Sequence, residues 1–317
     1  MRILLAVLLV LQAPALWADP VAFIRFHTDA AGAAHVTASK GVDGRTPFAI
    51  ASLGKTLTAV AVLRLVEQGS LRLDAPITTY LPRTTLAGLR GADRLTVAHL
   101  LTMTSGLPDY YTDDYLDLAL SDPDRFQRPL AALDFAKDRR PLFAPGRGFD
   151  YSNTNYLLLG LILQAVSGQP YALVLRAQVL QPAGMSDAFV FGTRPLPRRF
   201  PLGHDGGGHV RSYYQGAGFG DGGVIASARD MLHFYRALLV TRSLLGPSSL
   251  RRMLRDGAGQ GYGMGIEVSG DIVGHSGGDL GFSSDVRFSR ASGRFAILLI
   301  ASEDADTDWP YQHLTTP

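Results

Sequence analysis

The sequence predicts an α/β fold in which an antiparallel sheet, formed from both chain ends and flanked by helices, carries a mainly helical inserted region. Three observations predict it. Strand patterns occur near both termini, helical patterns with Gly and Pro punctuation fill the middle, and one early helix is apolar nearly all round. Residues 19–317 therefore read as one domain with two lobes, an α/β lobe from about 19–90 and 215–317 and a helical lobe over about 91–214. A cleft between such lobes is where a site is expected.

At the start, Arg2 precedes an apolar run over 3–11, and Gln12, Pro14 and a small-residue end at Ala18 follow. That is the pattern of a signal peptide over 1–18, cut after Ala18 or, as second choice, Ala15, and too short for a permanent anchor. A periplasmic or secreted protein with no membrane anchor is expected. Strands over 21–27 and 35–39 are joined by a turn at 29–32. A helix over 53–68 follows, with Leu57, Val60, Ala61, Val62, Leu63, Leu65 and Val66 spread round it and Gly69 to end it. Helical patterns continue at 97–103, 130–137, 155–166, 171–179 and 228–239, and the Gly-, Pro- and Arg-rich stretch 194–223 reads as loop. Strand patterns return at 261–268, 272–275, 282–288 and 295–301, so one sheet closed by the two chain ends is expected.

Composition narrows the function. With 46% hydrophobic residues and a net charge of only +2, the chain is a folded globular protein. It has no cysteine, which excludes disulfides, thiolate nucleophiles and cysteine-built metal sites. Its 27 Arg and 3 Lys are scattered, so no nucleic-acid partner is implied, and a small-molecule or peptide substrate is expected instead. His204 and His209 flank a Gly-rich loop without supporting ligands and read as solvated. No metal and no cofactor are expected.

Three short motifs carry chemistry. Ser52-Leu53-Gly54-Lys55 opens the apolar helix, and positions i and i+3 share a face, so the amine can reach the hydroxyl. A serine needs a base beside it, and burial lowers a lysine's pKa toward that role. The bland alternative is Ser52 as a helix cap. Tyr151-Ser152-Asn153 follows a Pro-Gly turn; a phenol can relay a proton and an amide can orient a substrate carbonyl. Its structural alternative is a capping Asn153 with Tyr151 in the core. His275-Ser276-Gly277 lies on a strand, where the ring can hold a carboxylate or donate to the tyrosine and Gly277 admits a close approach. Each motif is common by chance. Their joint occurrence in this order is expected in fewer than about one such chain in a hundred.

With these motifs the sequence resembles the serine β-lactamase and penicillin-binding-protein superfamily, in its branch of class C β-lactamases, D-Ala-D-Ala carboxypeptidases and related esterases. Segments 100–108, 181–185 and 222–227 look like further landmarks of that family. The resemblance implies a β-lactamase/transpeptidase-like fold, with Ser52 as acylated nucleophile, Lys55 as its activating partner and Tyr151 as general base and acid. It implies Asn153, His275, Gly277 and Gly278 as substrate-binding residues, and the N–H groups of Ser52 and Gly278 as an oxyanion hole. D-alanyl peptides or related cell-wall amides are the implied substrates. An esterase or β-lactamase of the same fold, and a non-catalytic binding or scaffold module, are the alternatives.

Three departures qualify it. His275 stands where β-lactamases of the class carry Lys, which favours a carboxypeptidase, aminopeptidase or esterase. Met103 stands where relatives often have His and reads as a packing change. The stretch 304–317 is short, polar and contains Pro310, so the family's C-terminal helix is expected to be reduced to a turn or cut off. Two cations in one cleft disfavour each other, so Lys55 and His275 are not expected to be charged together. Other motifs fail on context: Gly54-Lys55-Thr56 lacks the Gly that a phosphate loop needs at Ala49, and the glycines of 218–223 follow no clear strand. Tyr110, Tyr111, Tyr213 and Tyr214 are candidates to wall the cleft or to pack in the core.

Overall fold

The computed structural model describes residues 21–315, apart from 30, 205–209 and 304. The 1–18 segment with its cut after Ala18, and His209, lie outside the described residues. Among the described residues there are nine strands: β1 (Phe23–Thr28), β2 (Ala34–Ala38), β3 (Phe48–Ala49), β4 (Phe189–Val190), β5 (Val224–Ala226), β6 (Glu267–Ser269), β7 (Ile272–Asp279), β8 (Phe282–Ser289) and β9 (Phe295–Ile300). Six of them form an antiparallel sheet in the order β2-β1-β9-β8-β7-β6. The two ends of the chain meet in it, with Phe26 of β1 opposite Ile297 of β9. β9 reads Phe-Ala-Ile-Leu-Leu-Ile because it lies inside the sheet and is packed on by the helices Ala228–Tyr235 and Trp309–Thr315.

The Leu53–Glu67 helix lies against β7 and β8 and is buried almost throughout, as its all-round apolar sequence requires. Gly69, at φ +75°, ends it in the left-handed region. The Asn153–Ser167 helix packs across it. Gly54 lets a loop come close: a Cβ there would stand 3.1 Å from the Gly222 Cα, so 220–223 can lie directly on the helix. Thr58 Oγ1 ties that loop down by donating to the Gly220 carbonyl at 2.6 Å.

Four expectations need correction. The single sheet is two, because β3, β5 and β4 pair separately in a three-stranded sheet whose members are two or three residues long. The strand expected over 261–268 is reduced to Glu267–Ser269: Gly261 and Gly265 take positive φ, and a Cβ at Gly263 would collide with the Met253 carbonyl. β7 instead runs on to Asp279, four residues past its expected end at His275. The C-terminal segment forms more than a turn. Trp309–Thr315 is a two-turn helix whose Leu314 packs on Ile272 and Ala296, so the sheet is covered there.

Candidate active site

Ala51 precedes the Leu53–Glu67 helix in the left-handed region, at φ +46° without being glycine. The kink turns Ser52 onto the helix's first turn. As the N-cap residue, Ser52 makes no side-chain capping bond. Its Oγ instead accepts from Lys55 Nζ at 2.9 Å. The capping alternative for Ser52 therefore fails on geometry.

Lys55 is wholly buried, and each of its three N–H bonds has an acceptor. Besides Ser52 Oγ these are Asn153 Oδ1 at 2.6 Å and the Asp221 carbonyl at 2.8 Å. Asn153 sits in the first turn of its helix, not at its cap, and Ser152 is the capping residue. Its orientation is set by Asp109, whose carboxylate accepts from Asn153 Nδ2 at 2.9 Å and Asn153 N at 3.0 Å. Burial raises the Asp109 pKa, and its backbone hydrogen bonds and the charge of Lys55 oppose that. Tyr151 is not in the core. It is 38% exposed, with Lys55 Nζ 4.9 Å from its ring centre.

β7 brings the third motif up against the helix start. A Cβ on Gly277 would lie 2.9 Å from Ser52 N, so the strand approaches this closely only because position 277 is glycine. The Ser276 N–H donates to Glu267 Oε1 at 3.0 Å, on the strand edge away from β8. Backbone N–H groups alternate along a strand, so that of Gly278 points to the same edge, beyond the last β6 pairing at Gly274. The Ser52 N–H has no acceptor among the described residues. Two N–H groups thus flank the space before Ser52 Oγ, as an oxyanion requires.

His275 is placed on the cleft wall but differs from its expected form. Its Nδ1 contacts the Ser276 carbonyl at 2.5 Å, and a carbonyl only accepts, so Nδ1 carries the proton. Nε2 then accepts from the Tyr262 hydroxyl at 3.1 Å. Burial drives the ring's pKa down to about 4, with Glu267 opposing and Lys55 adding to the fall. It is therefore neutral where Lys55 is charged, and both of its nitrogens are already engaged. Sequence reasoning missed Tyr262, whose ring also stands edge-on to Tyr151 at 6.1 Å. It missed Glu267 and Arg287 too, which pair at 2.6 Å behind the histidine.

Ser52, Tyr151, Asn153, His275, Gly277 and Gly278 all line one cleft of about 540 Å³. Tyr110, Tyr111 and Tyr213 wall it as well, whereas Tyr214 stands behind, with its ring against Phe282. Met103 is fully buried and its Sδ accepts from Asn155 Nδ2, in keeping with a packing role. A hydroxyl beside an amine, an exposed phenol and paired N–H donors together can perform acyl transfer.

The chain matches the Beta-lactamase family over residues 21–315. It belongs to that family. It is 27% identical over 303 residues to penicillin-binding protein 4* of Bacillus subtilis (strain 168), covering 88% of this chain and 65% of that protein. It is 36% identical over 190 residues to esterase EstB of Burkholderia gladioli, covering 56% of this chain and 46% of the esterase. The chain thus spans less than two thirds of the length of either relative. Among solved structures, a D-stereospecific amidohydrolase from Streptomyces sp. superposes with a TM-score of 0.79 at 26% identity, covering 93% of this chain and 94% of that one. The D-amino acid amidase from Ochrobactrum anthropi SV3 is also similar, with a TM-score of 0.75 at 25% identity and 90% of each chain. The mixed α/β, antiparallel architecture is that of the β-lactamase/transpeptidase fold, within a superfamily of serine hydrolases.

Proposed function

We propose that the protein is an exported serine hydrolase that cleaves small amides or esters through an acyl-enzyme on Ser52. The observation that carries this is the 2.9 Å bond between Lys55 Nζ and Ser52 Oγ, in a cleft where the hydroxyl has no capping use. Ser52 Oγ attacks the acyl carbon, and its proton passes to whichever member of the Lys55–Tyr151 pair has given up its own proton when the substrate binds. The Ser52 and Gly278 N–H groups hold the oxyanion as the carbon–leaving-group bond breaks. The proton then goes to the leaving group. Water repeats the sequence on the ester, releasing the acid and restoring Ser52. The names of the relatives support amide and ester chemistry. Export rests on the 1–18 pattern and is tested by the mass of the mature protein.

Terminal carboxypeptidase action is the less favoured reading. It needs a cation for the substrate carboxylate, and His275 is neutral while no Lys or Arg lines the cleft among the described residues. The deciding experiment is intact mass after exposure to a fluorophosphonate and, separately, to a penicillin, with Ser52→Ala beside the wild type. A Ser52-dependent adduct with the fluorophosphonate is expected. No adduct on folded protein would leave a binding module.

Two further results are expected. In Gly277→Ala the new Cβ would press on Ser52 N at 2.9 Å, whereas a Cβ at Gly278 would meet no atom within 4 Å. Gly277→Ala should therefore lower kcat by about 10²-fold or more, the worth of an oxyanion donor, and Gly278→Ala much less. Equal losses in the two variants would argue against this oxyanion geometry. Because the His275 pKa is depressed to about 4, the ring gains charge only as the pH falls to that value. An acid limb above it, measured on a neutral ester, should be unmoved in His275→Gln. Loss of the limb in that variant would assign the titration to the histidine.

A further inference from the structure

Strand alternation puts His275, Gly277 and Asp279 on one face of β7, and all three line the cleft. Gly278, whose N–H faces the oxyanion position, is Asp279's immediate neighbour. An acyl donor with its carbonyl oxygen between Ser52 N and Gly278 N has its α-carbon roughly one to two residue rises (about 3–7 Å) from the Asp279 backbone. A short side chain can span that gap. The donor's position follows from the nucleophile and the strand register, independently of any charge in the cleft.

Asp279 is built to be held still and has no cation paired with it. Its Oδ1 accepts from the Tyr111 hydroxyl at 2.5 Å and from Leu280 N at 2.9 Å. Both of these bonds fall on Oδ1, and no ion pair among the described residues includes Asp279. Burial raises its pKa to about 6, with Tyr111 opposing, as for a carboxylate short of counter-charge. Among the other described acids of the wall only Glu267 has a cation beside it. Glu267 pairs with Arg287, and Asp221 receives the Tyr110 hydroxyl at 2.6 Å. Glu303 lies at the rim, where its Oε2 accepts from Gly281 N at 3.4 Å. Four carboxylates and no Lys or Arg side chain line the cleft among the described residues; Arg287 offsets Glu267 and Lys55 lies buried beneath Ser52, which leaves Asp221, Asp279 and Glu303 to make the field away from the serine favour a positive ligand group.

We propose that Asp279 is a specificity residue that binds the ammonium of the acyl donor, so that the cleft selects substrates with a free α-amine, such as amino-acid amides or esters and peptide N-termini, over their N-acylated counterparts. This rests on the acyl-enzyme reading at Ser52. It assigns Tyr111 the part of fixing the carboxylate, and it accounts for a family cleft whose Lys position holds a neutral histidine: the charge recognised is the amine's, not a carboxylate's.

The test compares D- and L-alanine p-nitroanilides with their N-acetyl derivatives on wild type and Asp279→Asn. Because the readout is the ratio of kcat/KM values within each protein, any general loss of activity cancels. Wild type should prefer the free amine by about 10- to 100-fold, the worth of a charged hydrogen bond, mostly in KM, and Asp279→Asn should lose most of that preference. As a second measurement that does not depend on the anilide leaving group, alanine amide should protect Ser52 from fluorophosphonate at lower concentration than N-acetylalanine amide, and this gap should close in Asp279→Asn. A wild type without preference for the amine, or a variant that keeps it, overturns the proposal. Failure of the Ser52 reading is seen separately, as fluorophosphonate labelling that is absent or survives Ser52→Ala.

Discussion

Ser52→Ala is expected to lower turnover by about 10⁴- to 10⁶-fold without unfolding the protein, as for other serine nucleophiles that act with a base. The two halves of that expectation have separate causes. In the proposed mechanism the hydroxyl is the attacking group, and among the described residues no other hydroxyl is bonded to Lys55. The fold depends little on it, because the side chain caps nothing and only accepts one bond from Lys55 Nζ. Removing a true serine cap costs about 1 kcal/mol, so a smaller loss is expected here. The Ser52 N–H remains in place, so a residual rate from oxyanion binding should persist. Turnover of a chromogenic ester and a thermal melt on the same preparation check both halves. Retained turnover on every substrate the wild type cleaves would refute the nucleophile.

Much of this site is legible in the sequence, for reasons that particular residues make plain. Ser52 and Lys55 are linked by helical spacing, and the helix is recognisable because its apolar residues leave no polar face. Gly277 is legible as a strand glycine that admits a neighbour's backbone. What escapes is held by groups that sequence does not mark. The third acceptor of Lys55 is the Asp221 carbonyl, and every residue has a carbonyl. Tyr262 is one of 12 tyrosines, and only the curl of the chain through Gly261, Gly263 and Gly265 brings its hydroxyl to His275. Asp109 follows a family-like segment and its neighbourhood is readable, but its grip on Asn153 spans 44 residues. The two- and three-residue strands β3, β4 and β5 are too short to show a period of two. The Asp113–Ser121 helix hides for the opposite reason: its first turn is acidic, and only Tyr115 and Ala119 are buried. The histidine's charge state was legible only as a rule about two cations in one cleft. Burial is what decides which of the two gives way.

Lys55→Met is expected to slow acylation by about 10³- to 10⁴-fold, the range of a group that takes part in a positioned proton transfer, with a far smaller effect on stability. The lysine is wholly buried, and its three acceptors are a hydroxyl, an amide oxygen and a peptide carbonyl, none of them a carboxylate. Taking an ammonium out of water costs several kcal/mol, and neutral acceptors return only part of it. Methionine fills the same channel without that cost. It leaves Asn153 Oδ1 and the Asp221 carbonyl without their donor, at about 1 to 3 kcal/mol each. The two changes are of similar size and opposite sign, so Tm should move by no more than about 5 °C in either direction. The field of Lys55 also restrains the Asp109 and Asp221 carboxyls, which burial pushes toward protonation. Without it they should take up protons at higher pH, so the variant's stability should depend on pH differently across the acid range. Slowed acylation with little change in stability would fit the proposed chemical role for a lysine held beside a serine that caps nothing. If instead Lys55→Met unfolds the protein in proportion to the activity it loses, the lysine belongs to the scaffold and the base must be sought in Tyr151.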